Sequence, residues 1–198
     1  MIIKSHDLEQ FESRYRAKLI NSLSGFKSLN MIGSQNKNGE KNLAIFNSVF
    51  HLGAEPALIG MISRPDSVPR HTLRNIKETG YYSINSVSEN LYKKAHQTSA
   101  RFNRSEFETC NLESIKEENF IFVKESPLKL GVRLVRTIPI EENGTILIIG
   151  EIIYIQLADN IIKPDGYLDL EELGILSGVS LDGYYKPKLL ERLPYAKA

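Results

Sequence analysis

The residues best suited to hold a charged ligand lie between Ser63 and Asn75, where Arg64, Arg70, His71 and Thr72 gather at the mouth of a helix expected from Arg70 to Thr79. A helix N-terminus leaves backbone N–H groups unpaired and carries partial positive charge. A phosphate placed there gains those donors, and neighbouring arginines add charge-assisted hydrogen bonds. Ser63, Ser67 and Thr72 offer hydroxyls on the same stretch. The plainer alternative is a solvated loop leading into an ordinary helix. Asp66 and Glu78 offset the local arginines, so the pattern describes a small pocket rather than a basic surface.

A second candidate is the run Asn42-Leu43-Ala44-Ile45-Phe46-Asn47-Ser48, in which Asn47 and Ser48 interrupt an otherwise apolar strand. A polar side chain facing a barrel core is costly unless paired, so it faces either a ligand or the wet side of the sheet. Other chemistries leave no trace. The four histidines, His6, His51, His71 and His96, lack metal-ligand spacing, and no Gly-x-Gly-x-x-Gly, Walker or Gly-x-Ser-x-Gly motif is present. No carboxylate pair stands out as acid and base. Cys110 is the sole cysteine, which excludes an intrachain disulfide and a cysteine zinc cluster; it reads as a small, partly buried side chain or, more sharply, a reactive thiol.

The elements that must position these groups are mostly strands. Leu8, Phe11, Tyr15 and Leu19 form one helical stripe, with Ser5 or Asp7 as caps. Strands follow at Phe26 to Ser34 and Leu43 to Phe50, joined by the turn Asn36-Lys37-Asn38-Gly39. Pro56 suits a strand start, and Ala57 to Ile62 is a short buried run. After the helix, which Gly80 should stop, Tyr81 to Val87 alternates like a strand. Ser88 is expected to cap a short helix through Ala95, and Ser105 with Glu108 has capping-box spacing for another. Phe120 to Val123, Lys129 to Arg136 and Thr145 to Leu157 complete the strands, the last two turned by Asn143-Gly144.

Regular βα alternation is missing, so a doubly wound sheet is disfavoured. The expected fold is mainly β with α insertions, an antiparallel Greek-key barrel with peripheral helices, because closure removes exposed edges. At 198 residues the chain fits one domain, 1–198, with a helical or extended appendage over 1–24 and a C-terminal extension from about 159 to 198 that packs on the barrel or a partner. Hydrophobic content is 41% and the formal net charge only +1, which argues against a general nucleic-acid or membrane-surface binder. The charged N-terminus does not suit a signal peptide, and the longest apolar stretch, Thr145 to Ala158, spans about 14 residues, too short for a bilayer; the expectation is a cytoplasmic protein.

Taken in order, several stretches resemble the flavin reductase-like family. They are Asn42-Leu43-Ala44, Pro56-Ala57-Leu58, Arg64-Pro65, His71-Thr72-Leu73-Arg74-Asn75-Ile76 and Gly80-Tyr81-Tyr82-Ser83-Ile84-Asn85. Thr98-Ser99-Ala100, Gly183-Tyr184-Tyr185 and Arg192-Leu193-Pro194-Tyr195-Ala196 extend the likeness, from about Gly25 to the C-terminus. The resemblance implies a split β-barrel of the FMN-binding, flavoredoxin-related type. It implies a homodimer holding FMN non-covalently near the subunit interface, with NADH or NADPH as co-substrate. By the same resemblance, Ala44, Phe46, Asn47 and Ser48 lie along the flavin ring. Ser63, Arg64, Arg70, His71 and Thr72 hold the phosphate, and Thr98, Ser99 and Ala100 approach from a neighbouring loop. Many relatives carry proline at Ile45 and serine at Asn47; Asn47 can still donate a hydrogen bond.

The implied function is an oxidoreductase that reduces flavin or another small acceptor through bound FMN. The absence of an acid/base pair agrees, because the cofactor carries the hard chemistry. His71 is the one weak candidate for a proton carrier, against a phosphate contact or helix-end packing. The alternatives are an electron carrier exchanging with a redox partner protein, and a flavin-binding module without turnover.

Overall fold

The computed structural model describes residues 1–66 and 70–197. Its elements run in the order α1 (Ser5–Gln10), α2 (Ser13–Leu23), β1 (Lys27–Ser28), β2 (Asn30–Gln35), β3 (Lys41–Phe46), β4 (Val49–Ala54), β5 (Ala57–Ser63) and α3 (His71–Thr79). There follow β6 (Tyr81–Ser86), α4 (Tyr92–Gln97), α5 (Glu106–Thr109), β7 (Ser114–Glu117), β8 (Phe120–Val123), β9 (Leu128–Ile140), β10 (Thr145–Leu157), β11 (Ser177–Val179) and β12 (Gly183–Tyr185). No described helix is long and apolar enough to cross a membrane.

Seven strands form one antiparallel sheet in the order β3-β2-β6-β9-β10-β5-β4. Its two edge strands, β3 and β4, are consecutive in the chain and joined by Asn47 and Ser48 alone. Six strand spacings of ~4.8 Å would put the edges of a flat sheet ~29 Å apart. From Phe46 to Val49 the chain can reach only ~11 Å. The sheet therefore rolls until its edges nearly meet, as the expected barrel requires.

Strand alternation sorts side chains between two cores. Ile32, Val49, Met61, Tyr82, Ile84, Val132 and Ile148 point into the roll, where Leu73 and Ile76 of α3 join them. Met31 and Leu43 point outward and are covered by Ala95 of α4, Phe107 of α5, and Ile121 and Val123 of β8. Because β2 is covered on both faces, Asn30 to Ser34 are all buried. Gly33 sits where β8 crosses: a Cβ there would lie 2.2 Å from the Ile121 carbonyl oxygen and 2.5 Å from Ser83 Oγ.

Several elements differ from those expected. The N-terminal stripe is two helices, because the chain turns extended at Phe11 and Glu12; the Glu12 carboxylate then accepts from Tyr15 N at 3.0 Å and caps α2. At α1, the cap is Lys4, whose N–H reaches the Asp7 carboxylate at 2.8 Å. Phe26 to Ser34 divides into β1 and β2, and Leu43 to Phe50 into β3 and β4. Ser88 does not cap α4; that helix starts later, at Tyr92, with Leu91 at the N-cap position. The Ser105 capping box does not form, and the buried Ser105 hydroxyl has no partner among the described residues. Its neighbour Glu106 instead accepts from Leu43 N at 3.1 Å, which satisfies a donor on the open edge of β3. The N-terminal and C-terminal segments meet in a small sheet, β1-β11-β12.

Gly33→Ala tests the crossing. The added methyl must push backbone rather than a flexible side-chain end, so a loss of about 1–3 kcal/mol is expected, read as a lower midpoint in urea unfolding.

Candidate functional site

The corner at Asn47 and Ser48 is fixed from three sides. Ser48 Oγ donates to the Ile62 carbonyl at 2.8 Å, and Ile62 N donates back to the Ser48 carbonyl at 3.3 Å. Asn47 Nδ2 donates to the Ser180 carbonyl at 2.9 Å, and Ser180 Oγ to the Lys18 carbonyl at 3.1 Å, which ties the corner to the C-terminal segment and α2. Ser28 Oγ donates to the Val49 carbonyl at 2.6 Å. The two polar residues that interrupt the apolar strand are thus the closure of the sheet, with both side chains turned to carbonyls.

The same closure carries the chain into the stretch expected to hold an anion. Ile62 is followed by Ser63 at the end of β5, then by the loop to α3. Ser63 is buried and its hydroxyl donates to the Arg64 carbonyl at 3.3 Å, while Arg64 itself is exposed. Arg70 Nε donates to the Pro65 carbonyl at 3.3 Å, so the guanidinium folds back over the loop. Ser67 lies outside the described residues.

Arg70 occupies the N-cap of α3 and makes no side-chain cap hydrogen bond among the described residues. His71 is exposed at the first turn. A cleft of about 480 Å³ opens beside it, lined by Arg70, His71, Arg74 and Lys77 together with Asp66 and Glu78. At the other end of α3, Gly80 takes a left-handed φ of 79° and returns its N–H to the Ile76 carbonyl.

Thr72 is placed differently from a ligand-facing donor. It is buried, and its hydroxyl accepts from Asn42 Nδ2 at 2.9 Å. Asn42 Nδ2 also lies 3.4 Å from Ser34 Oγ, which Asn75 Nδ2 approaches at 3.3 Å. All four side chains are buried. They form a polar latch between α3, β2 and β3 that fixes where the first turn of α3 sits. Sequence reasoning did not single out Ser34 or Asn75. The available signal was a polar residue on the buried side of each element, at Ser34 in β2 and Asn75 beside Ile76 in α3.

On β3, Ala44 and Phe46 are half-buried, and Phe46 packs against the inner core, whereas Ile45 packs against the outer one. Ala95, one turn before Thr98, belongs to that outer core. Thr98 is buried and donates to the Ala95 carbonyl at 2.7 Å, Ser99 donates to the His96 carbonyl at 2.7 Å, and Ala100 is exposed. The structure brings Asn47, Ser48, Ser63, Arg64, Arg70, His71 and Thr72 into one continuous region, and sets Thr98 to Ala100 at the end of a helix on the outer side of β3. Cys110 is buried, and burial with the nearby Glu106 carboxylate pushes its thiol above the usual range, which disfavours the reactive thiolate.

The sequence matches the flavin reductase like domain over residues 24–171. A split-barrel protein of Shewanella frigidimarina NCIMB 400, provisionally called a flavin reductase, is 47% identical, with 99% of this chain and 100% of that chain covered and a TM-score of 0.95. Nitrilotriacetate monooxygenase component B from Bacillus cereus is 23% identical over 98% of each chain, at a TM-score of 0.85. Flavoredoxin of Desulfovibrio vulgaris (Miyazaki F) is 18% identical over 87% of this chain and 92% of its own, at a TM-score of 0.73. The last two likenesses concern the fold alone.

Asn42→Ala should remove the donor shared by Thr72 and Ser34 and leave buried hydroxyls less satisfied. A loss of about 1–3 kcal/mol is expected, measured by urea unfolding, with faster hydrogen exchange in the first turn of α3 than elsewhere in the sheet.

Proposed function

Because the chain belongs to the flavin reductase-like family, we propose that it is an FMN-dependent oxidoreductase that draws electrons from NADH or NADPH and delivers them to free flavin or another small acceptor. The observation that carries this reading is the first turn of α3, without a side-chain cap among the described residues, beside a mixed-charge cleft that includes Arg70, Arg74 and Lys77, held next to the corner where the sheet closes. That donor set suits a phosphate monoester: unpaired N–H groups at a helix start, a guanidinium and an exposed imidazole. When bound, FMN would supply the hydride-accepting and hydride-releasing chemistry.

The chain's own part is to bind and orient. Arg70 and His71, with the N–H groups of the first turn of α3, hold the phosphate, and Ser63 and Arg64 form the strand end from which that loop departs. The latch of Thr72 on Asn42 sets the distance between this anchor and β3. Ala44, Phe46, Asn47 and Ser48 present the ring with a strand and a corner whose side-chain donors are already engaged, so backbone groups are left to meet it. Thr98, Ser99 and Ala100 close the site from the loop after α4. No proton carrier is required of His71, whose place at the helix mouth fits a phosphate contact.

The working form is a homodimer with the flavin near the subunit interface. Support comes from exposed apolar side chains on β4, β9 and β10. Phe50 and Leu52 are exposed on β4, Val135 and Ile138 on β9, and Ile153 and Ile155 on β10. Ile153 is 46% and Ile155 60% exposed in the single chain. Arg133 and Glu151 pair with each other at 2.6 Å, and exposed Arg136 adds one further positive charge on β9. A second copy presenting the same side chains would cover them by two-fold symmetry.

The first test is an absorbance spectrum of the protein with FMN, followed anaerobically on addition of NADH and then NADPH. A bound-flavin spectrum that bleaches at once is expected. Bleaching only through an added reductase protein would replace the enzyme by an electron carrier, and absence of binding would remove the central claim. Arg70→Ala should weaken FMN binding by about 10- to 100-fold, the worth of one charged hydrogen bond, with little change in urea midpoint. Unchanged affinity would overturn the phosphate assignment. Ile153→Asp should yield a folded monomer by light scattering.

A further inference from the structure

A second concave site lies on the opposite side of β3 from the inner core, between α4 and α5. Its volume is about 370 Å³, inside the range of roughly 300–1,000 Å³ common for small-molecule sites. One wall is α4, which supplies Lys93, Lys94 and Gln97. Lys93 and Gln97 are four residues apart and so share a helix face. The other wall is the turn after α5, with Thr109, Cys110 and Asn111, and Phe102 forms an aromatic side from the connecting segment.

Three properties fit this cavity to a planar, phosphate-bearing ligand. Its charged lining is two lysines and no carboxylate, unlike the cleft at α3, which includes Asp66 and Glu78. Lys94 is braced across the gap by donating to the Asn111 carbonyl at 2.6 Å, with Asn111 in a left-handed conformation at φ 51°. Lys93 has no carboxylate within 4 Å among the described residues and leans toward the Tyr92 ring, 5.9 Å from its centroid, so its charge remains available to an anion. The ring of Phe102 is half-buried against the outer core and offers a fixed apolar edge, while Gln97 and Asn111 bring amide groups that can both donate and accept. The Cys110 thiol, held protonated by its burial, adds no negative charge.

The position matters as much as the lining. Gln97 is followed directly by Thr98, Ser99 and Ala100, the segment placed against the flavin above. From the cavity at α4 and α5, and building on the nicotinamide-donor reading, we infer that Lys93, Lys94, Gln97, Phe102 and Asn111 bind the adenine-nucleotide half of that donor. The phosphate meets Lys93 and Lys94, and the adenine lies against Phe102 within reach of the Gln97 and Asn111 amides. A dinucleotide bound this way is directed along the end of α4 toward the flavin segment. It needs no glycine-rich nucleotide fingerprint, which agrees with the absence of one in this chain.

The probe is AMP, titrated into isotope-labelled, FMN-loaded protein, with Lys93→Glu and the milder Lys93→Gln in parallel. Lys93 is exposed, so neither change threatens the core. Saturable AMP binding is expected, with amide shifts confined to Lys93, Lys94, Gln97, Phe102 and Asn111. Lys93→Glu should weaken it by about tenfold or more, as loss and reversal of one charge-assisted contact imply. In turnover, KM for NADH should rise in the variant at unchanged kcat, while KM for reduced nicotinamide mononucleotide, which lacks the adenylate, stays the same. No AMP binding, shifts centred on Arg70 and Arg74, or equal affinity in Lys93→Glu would overturn the inference. AMP binding as described in a protein whose flavin NADH does not bleach would keep the adenylate site and reject the donor reading instead.

Discussion

Asn47 and Ser48 have to carry the chain from one edge of a seven-stranded sheet to the other, and the rest of the molecule follows from that link. A two-residue connection between edge strands is short enough to force the roll, yet it adds no ladder between β3 and β4. The edges must therefore be satisfied by other means. Ser48 bonds to Ile62 on the β5 side, Ser28 covers the Val49 carbonyl, Glu106 takes the Leu43 N–H, and Asn47 reaches the C-terminal segment. Each contact recruits a different part of the chain: β1, α5 and the residues after β10. The peripheral elements are thus edge protection for an incompletely zipped barrel, as unpaired strand edges demand.

The closure also decides where an anion can bind. Since Ser48 is locked to Ile62, the chain leaves β5 at Ser63 beside the corner, and α3 must begin near it. The helix cannot float there. Leu73 and Ile76 seal the inner core, and the buried set of Ser34, Asn42, Thr72 and Asn75 fixes its rotation and height. Burying four polar side chains is costly unless each finds a partner. Mutual pairing offsets that cost and gives the site a rigid first turn. The Thr72 hydroxyl is engaged as an acceptor within this set, and the Arg70 guanidinium is held by the Pro65 carbonyl.

Much of this was legible in the sequence where local chemistry acts alone. The turns at Asn36-Gly39 and Asn143-Gly144, the stop of α3 at Gly80, and β10 from Thr145 to Leu157 sit where residue preferences put them. Misreadings arose where periodicity ran through a break. The apolar run Leu43 to Phe46 resumes at Val49 and Phe50 after Asn47 and Ser48, so a corner looked like a strand interior. The helical stripe through Phe11 likewise conceals the extended residues between α1 and α2. β1, β11 and β12 are two or three residues long, too short to carry a pattern. The Ser105 box with Glu108 does not form, while the adjacent Glu106 is recruited by the strand edge at Leu43. The candidate site was expected from a stretch of residue types, but the contacts of Thr72, Asn47 and Ser48 depend on partners 14 to 133 positions away.

The division of labour around β3 follows from the same geometry. An edge strand of a rolled sheet has an inner side, occupied here by the core beneath α3, and an outer side, which α4 and α5 cover. Charges cannot enter the inner core without a partner. Cationic residues therefore collect where a helix meets the rim of the sheet: Arg70, Arg74 and Lys77 on α3, Lys93 and Lys94 on α4. A chain with a net charge of only +1 thus presents two local cationic hollows on opposite sides of one strand. β3 lies between the two hollows, so the anionic groups proposed for them would be held on different sides of the strand. Such an arrangement favours a strand whose own side chains carry no charge at its centre, and Leu43 to Phe46 has none.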